Sequence, residues 1–351
     1  MLSQWTITDE QPSLPHNRSV EMEKLRKPAS SSAGWREIIT SSDKPASITQ
    51  DALTLGQKLH DPLSYAFLPL FDGLNRNLLL RCGVTLHTWR IHHMSINVYY
   101  KPGQVRQSPG MPILLLHGLS DNALTWFWQL LFLSNIGPVY ALDLPGFGLS
   151  GYPPGRRYAT LPEMCAVIET VLRDYIWQPA LIVGSSLGGW LAVKLAWQIR
   201  ELVRGIVLLN PGGAVLNGRS SWQPFVDALC EADLRTVRQI YRQLFAIVPP
   251  PIYLGQRSFQ VRFRHDAVCR FIESLAAEDF LYPEDVRYVP VPASLIWGLN
   301  DSFLPDGLWA FYRDHLAYTR MLVLRGCGHL PQRERPWSVI RFVRTMAQEL
   351  R

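Results

Sequence analysis

Leu181-Ile182-Val183-Gly184-Ser185-Ser186-Leu187-Gly188-Gly189-Trp190 is the stretch on which the reading of this chain turns. ALIVG, from Ala180 to Gly184, is apolar without alternation, as a strand buried on both faces requires. Gly184, Ser186 and Gly188 then spell G-x-S-x-G. Beyond them Leu191, Leu195, Ile199 and Val203 recur at four-residue steps, the spacing of one helix face. In a strand-turn-helix of this kind the backbone bends so sharply that side chains at the flanking positions would strike the strand and the helix, so both flanks are glycine and the serine stands out at the strand end. About 0.1 such motifs are expected by chance in a chain of this length, so the flanking pattern carries most of the weight. The plainer readings are an ordinary strand-to-helix turn and, for Ser186, an N-cap hydroxyl.

Working outward, strand-like and helix-like runs alternate. Val84–His92 and Ser95–Tyr100 are rich in β-branched and aromatic residues and read as an antiparallel pair. MPILLL (Met111–Leu116), PVYALDL (Pro138–Leu144), GIVLLN (Gly205–Asn210), SLIWG (Ser294–Gly298) and MLVL (Met321–Leu324) read as buried strands. Helical patterns lie between them at Ala123–Leu133, Leu161–Tyr175, Pro305–His315 and after Pro336. This order predicts an α/β fold, a mostly parallel sheet with helices on both faces. Residues 214–288 interrupt the alternation with helical patterns around Val237–Phe245 and Val268–Leu275 and are expected to form a helical lid. The expected divisions are a flexible leader at 1–50, a helical extension at 51–83, a first core part at 84–213, the lid at 214–288 and a second core part at 289–351. In the extension, Leu63, Phe67, Leu70, Phe71 and Leu74 share a helical face, and Pro62 and Pro69 are expected to break the helix.

A serine that transfers an acyl group needs an imidazole to take its proton and a carboxylate to hold that imidazole in the right tautomer. Asp301 follows SLIWG within Trp297-Gly298-Leu299-Asn300-Asp301, and His329 follows MLVL within Gly326-Cys327-Gly328-His329. Both fall at carboxyl ends of strands, the edge at which Ser186 emerges and at which open α/β sheets bind ligands. Asp306 is the rival acid; Asp301 is nearer the strand end. Donors for the oxyanion are expected from the backbone N–H of Leu187, next to the serine, and of Leu119, in the His117-Gly118 loop after the first parallel strand. Trp126 and Trp190, with Trp128 nearby in sequence, are expected to line the substrate site.

With these residues in hand, the chain resembles the lid-bearing α/β-hydrolase superfamily, the group of esterases, lipases and carbon–carbon hydrolases. The resemblance runs from about residue 84 to 351 and rests on His117-Gly118, D-x-P-G-x-G-x-S at Asp143–Ser150, G-x-S-x-G at Gly184, the acid at Asp301 and G-x-x-H ending at His329. It implies that the Asp143 stretch is a structural turn. Ser185 stands where many relatives have His. Serine at 186 separates the chain from epoxide hydrolases and dehalogenases, which use a carboxylate nucleophile. The expected activity is hydrolysis of a carboxylic ester or related acyl bond. Carbon–carbon bond hydrolysis, a cofactor-free haloperoxidase-like activity and a non-catalytic ligand receptor are the alternatives.

Composition bounds the rest. The chain has 351 residues, 47% hydrophobic and 18% charged, ample for a large core. Its 35 basic and 29 acidic residues give +6, but the arginines are scattered, so no nucleic-acid partner is expected. Five dispersed cysteines without a C-x-x-C pair suggest neither a disulfide framework nor a metal site, and no cofactor is expected. The first residues, polar and without a basic region ahead of an apolar run, are not expected to be a secretory signal, and no apolar run approaches the roughly 20 residues that span a bilayer. The expectation is a cytoplasmic enzyme for a hydrophobic small-molecule or lipid-like substrate, with peripheral membrane contact and oligomeric state left open.

Overall fold

Eight strands form a single sheet in the order β1-β2-β4-β3-β5-β6-β7-β8. The strands are β1 (Thr85–Ile91), β2 (Met94–Lys101), β3 (Ile113–Leu116), β4 (Val139–Leu142), β5 (Ala180–Ser185), β6 (Val203–Leu209), β7 (Ala293–Gly298) and β8 (Tyr318–Leu324). The computed structural model describes residues 50–104, 110–216, 222–230, 233–263 and 266–350; the expected leader at 1–50 lies almost wholly outside them. β1 pairs antiparallel with β2 and β2 with β4, and all remaining pairs are parallel.

The central strands read as unbroken apolar runs because both faces of the sheet are covered. Leu114, Leu116 and Ile182 face one apolar cluster while Ile113, Leu115, Leu181 and Val183 face another, and all seven are fully buried. The crossovers are α2 (Phe127–Phe132), α3 (Leu161–Thr170), α4 (Leu187–Gln198) and α10 (Leu308–His315), and the chain ends on α11 (Pro331–Glu334) and α12 (Pro336–Glu349). Thr160 caps α3 in a capping box with Glu163, satisfying donors the first turn leaves free. Between β6 and β7 lie α5 (Gln223–Cys230), α6 (Leu234–Leu244), α7 (Gln256–Phe263), α8 (Asp266–Glu273) and α9 (Pro283–Arg287), with a 3-10 turn at Pro250–Gly255.

Three local expectations are corrected. The pattern at Ala123–Leu133 splits into a 3-10 turn, Ala123–Trp126, followed by α2, because Asn122 caps the turn through Leu124 N–H. The helix from Leu161 widens at Val171–Ile176 into a π-helical turn that stops at Trp177, which is left-handed at φ 59°. The prolines do not break the extension: α1 runs continuously over Gln50–Arg81 with Pro62 and Pro69 inside it. Both prolines are exposed, and each removes one helical hydrogen bond without ending the helix.

Candidate active site

Ser186 sits between β5 and α4 with φ 54° and ψ −114°, a conformation non-glycine residues rarely adopt and one that costs about 1–3 kcal/mol. The surroundings over-determine it. Its N–H donates to Leu209 O at 3.0 Å, and its carbonyl accepts from the N–H of Gly189, Trp190 and Gly212 at 3.0–3.1 Å. A Cβ at Gly184 would lie 2.1 Å from Gly188 O, and one at Gly188 would lie 2.1 Å from Leu116 O. Both glycines therefore serve the turn by close approach. A Cβ at Gly118 would come within 3.1 Å of Ser186 Cβ, so the loop after β3 passes directly beside the serine.

His329 follows β8 and is held by its own backbone, whose N–H donates to Leu244 O at 2.8 Å. Its Nδ1 lies 2.7 Å from Asp301 Oδ2, with the two side chains 3% and 0% exposed. Asp301 is itself pinned. Oδ1 accepts from the N–H of Phe303 at 3.0 Å and Leu304 at 3.3 Å, and Oδ2 also accepts from Asn210 Nδ2 at 2.6 Å. Asn210 Oδ1 in turn accepts from Gly298 N–H at 3.0 Å, which ties the ends of β6 and β7 to one another. Asp306 is exposed ahead of α10, and it is Asp301 that bonds the imidazole.

Supporting groups complete the floor. The Glu334 carboxylate accepts from Gly328 N–H and Ala246 N–H, both at 2.9 Å, so α11 holds the His329 loop and the chain after α6 together. Burial pushes its carboxyl above the ordinary range despite these bonds. His117 is fully buried, its Nε2 accepting from Leu144 N–H at 3.0 Å, so the Nδ1 proton is the one donated to Gly118 O at 2.7 Å. Burial lowers its pKa to about 4, which keeps the ring neutral. Asp143 accepts from Ala123 N–H at 2.7 Å and Leu149 N–H at 2.9 Å and stiffens its glycine-rich turn. Burial raises its pKa to about 6. Ser185 donates to Gln332 Oε1 at 3.4 Å beneath the elbow.

Two cavities meet at Ser186. One, of about 280 Å³, is walled by apolar groups including Trp190, Phe225, Phe271 and Phe280. The other, of about 480 Å³, is bordered by Ser186, His329, Phe67, Phe263, Asp121 and Arg333. Leu119 lines both, and Leu187, the first residue of α4, lines the smaller, so its N–H has no acceptor within the helix. A third cavity, of about 520 Å³, lies between α1 and the Asp143 turn and does not include Ser186. Arg333 donates to Asp121 at 2.8 Å. Burial raises the Asp121 carboxyl, but the charges of Arg333 and Arg262 and the Asn122 N–H outweigh it and hold the group below its usual range.

Of the tryptophans expected at the site, Trp190 is there, its Nε1 donating to Asp279 O at 2.8 Å. Trp126 is corrected. It is fully buried in the cluster on the other face of the sheet and lines none of these cavities, because the 3-10 turn rotates it inward. Trp128 is exposed and packs on Trp337. Sequence reasoning missed Asn210 and Glu334. Asn210 has a readable signal, a polar residue closing GIVLLN at the catalytic edge, and its φ of 38° suits an asparagine. Glu334 has none, since its partners are backbone N–H groups, which no side-chain pattern announces.

A sheet of this order carrying a serine on a strained strand-to-helix turn and a buried His–Asp pair at the same edge defines an α/β-type hydrolase. The sequence profile of the alpha/beta hydrolase family matches residues 113–340, and the chain belongs to that family. It is 35% identical over 256 residues to the uncharacterised protein Rv2715 of Mycobacterium tuberculosis, covering 67% of this chain and 74% of that one. It is 26% identical over 257 residues to the esterase Rv0045c of the same organism, covering 66% and 81%. Among solved structures, a membrane phospholipase A described as a bacterial virulence factor superposes with a TM-score of 0.67 at 20% identity, over 86% of this chain and 98% of that one. The chain is a hydrolase.

Proposed function

We propose that this hydrolase cleaves a carboxylic ester, or a related acyl bond, of a hydrophobic small molecule or lipid through Ser186, His329 and Asp301. The observation that carries the reading is the buried 2.7 Å contact between His329 Nδ1 and Asp301 Oδ2 in the wall of the cavity from which Ser186 emerges. With Nδ1 committed to the carboxylate, Nε2 is the nitrogen free to take the Ser186 proton as its Oγ attacks the carbonyl carbon. The N–H groups of Leu119 and Leu187 receive the oxyanion. The same imidazole then passes the proton to the departing alkoxide, and water repeats the sequence in reverse on the acyl-enzyme. Asn210 acts through the position of Asp301, and Glu334, which also borders the larger cavity, through that of His329.

Two apolar cavities sharing one serine suit a substrate with an apolar group on each side of the scissile bond. Residues 214–288 form the cover, attached to the core where Trp190 bonds Asp279. Activity over p-nitrophenyl esters of increasing chain length, with fluorophosphonate labelling, tests the reading. Ser186→Ala is expected to abolish turnover and labelling, and Asp301→Asn to lower kcat by about 10³–10⁴ with labelling slowed in step. Undiminished labelling of Ser186→Ala rejects the assignment. Tight ligand binding with no turnover of any acyl probe points instead to a receptor.

A further inference from the structure

We infer that the outer face of α1 is a docking surface for an anionic lipid layer, placed so that the layer meets the mouth of the Ser186 cleft. The helix is amphipathic in the inverted sense. Its body-facing side carries polar groups: Ser64 accepts from Arg257 N–H at 3.0 Å, Asp72 accepts from Arg262 at 2.7 Å and Asn122 at 2.8 Å, and Arg76 donates to Tyr99 at 3.1 Å. These positions recur at multiples of four and share one side. The other side carries Leu63, Leu70 and Leu74, which are 68%, 67% and 59% exposed, with Phe71 at 43%. A helix evolved only to pack on this core would turn those leucines inward.

The face is continuous with the cleft. Phe71 and its stacked neighbour Phe67 both line the cavity that holds Ser186 and His329. Across the opening, Ile247 lines the same cavity and is 82% exposed, beside the exposed Pro249 and Pro251. Exposed apolar side chains on two separate elements thus frame one entrance, more than scattered surface leucines would give.

Charge selects the occupant. Residues 233–263, which include α6 and α7, contain Arg235, Arg238, Arg242, Arg257 and Arg262 against the single acid Asp233, with Arg262 paired to Asp72 of α1. The first three are exposed along one side of α6, whose opposite side, Val237, Ile240 and Tyr241, is buried. α6 adjoins α7 through Arg238 Nε and Gln256 Oε1 at 2.9 Å, and α7 in turn holds α1 through Ser258 and Leu68. Apolar side chains beside clustered arginines match a headgroup layer with acyl chains beneath it. Among the described residues no helix is long and apolar enough to cross a membrane, so α1 lies on the layer instead of spanning it.

The test uses the full chain carrying Ser186→Ala, so that lipid is not consumed and the result does not depend on catalysis. Cosedimentation with vesicles of phosphatidylcholine mixed equally with phosphatidylglycerol is expected, with weaker binding to phosphatidylcholine alone and in high salt. The triple substitution Leu63→Ser, Leu70→Ser, Leu74→Ser should lower the partition coefficient at least about tenfold without lowering Tm. Arg235→Glu with Arg238→Glu and Arg242→Glu should remove the preference for the anionic lipid. Trp177→Ser, which alters a residue 76% exposed ahead of β5 at the opposite sheet edge, should change nothing. Unchanged partition of the leucine triple variant overturns the inference. So does failure of the parent to bind either vesicle, or a dimer in buffer that the triple variant dissociates without any vesicle binding.

Discussion

Asn210 shows how much of the site depends on one side chain outside the serine, histidine and acid. Its Nδ2 and the imidazole Nδ1 converge on the same carboxylate oxygen, Asp301 Oδ2, at 2.6 and 2.7 Å. Asn210→Leu leaves that oxygen a single donor and removes the acceptor of Gly298 N–H, and activity is expected to fall about 10–100-fold, the range typical when a group orienting a histidine ligand is lost. Asn210→Asp separates positioning from electrostatics. It sets a second carboxylate against Asp301, so one of the two must hold a proton and the acid limb of the kcat/KM profile should move to higher pH. A lower rate with an unmoved profile would show that Asn210 acts through packing alone. Ser186, Asp301 and His329 could be selected from the sequence because each closes a strand-like run. Asn210 closes one too, but the chemistry asked for a nucleophile, a base and an acid, and a fourth group that only steadies the acid is implied by no motif.

At the scale of elements, legibility followed burial. β3, β5, β6 and β7 are apolar on both faces and stood out against their neighbours, as did α6 with its buried Val237, Ile240 and Tyr241. The five residues of α9 give too few turns for a period to show, and among the eight-residue helices α8 was legible while α5 and α7 were not. α1 was misjudged because Pro62 and Pro69 each cost a helix about 3 kcal/mol, a cost it bears while Ser64, Leu68, Asp72 and Arg76 tie it to the rest of the protein. α11, four residues long, was invisible and yet anchors the His329 loop through Glu334. Glu334→Gln replaces one accepting oxygen by an amide donor that must face either Gly328 N–H or Ala246 N–H. A loss of about 1–3 kcal/mol in urea unfolding is expected, with kcat falling by a larger factor than KM rises, since Glu334 holds the loop that carries the base even though it also borders the larger cavity. Equal loss of kcat and gain in KM would instead mean that α11 shapes the cavity.

For the whole molecule, two buried groups on adjoining loops set opposite pH dependences that should nearly cancel. The folded pKa of His117 is lowered from 6.5 to about 4, so the unfolded chain binds the extra proton first and stability is lost as pH falls from about 6.5 to 4. At full displacement that is roughly 3 kcal/mol. The folded pKa of Asp143 is raised from 3.8 to about 6, so between about pH 4 and 6 the native state holds the proton and stability is lost as pH rises, by a similar roughly 3 kcal/mol. The wild-type unfolding free energy should therefore be flat with respect to these two groups from pH 4 to 6. Removing either exposes the other: His117→Gln, which keeps an acceptor for Leu144 N–H, should become more stable on acidification relative to wild type, and Asp143→Asn less stable. Urea midpoints at a series of pH values read both slopes. If both variants track the wild-type curve at a constant offset, the two rings of contacts beneath the β3 and β4 loops hold their groups in ordinary titration, and the neutral His117 beside Gly118 would have to be replaced by one that charges near pH 6.5.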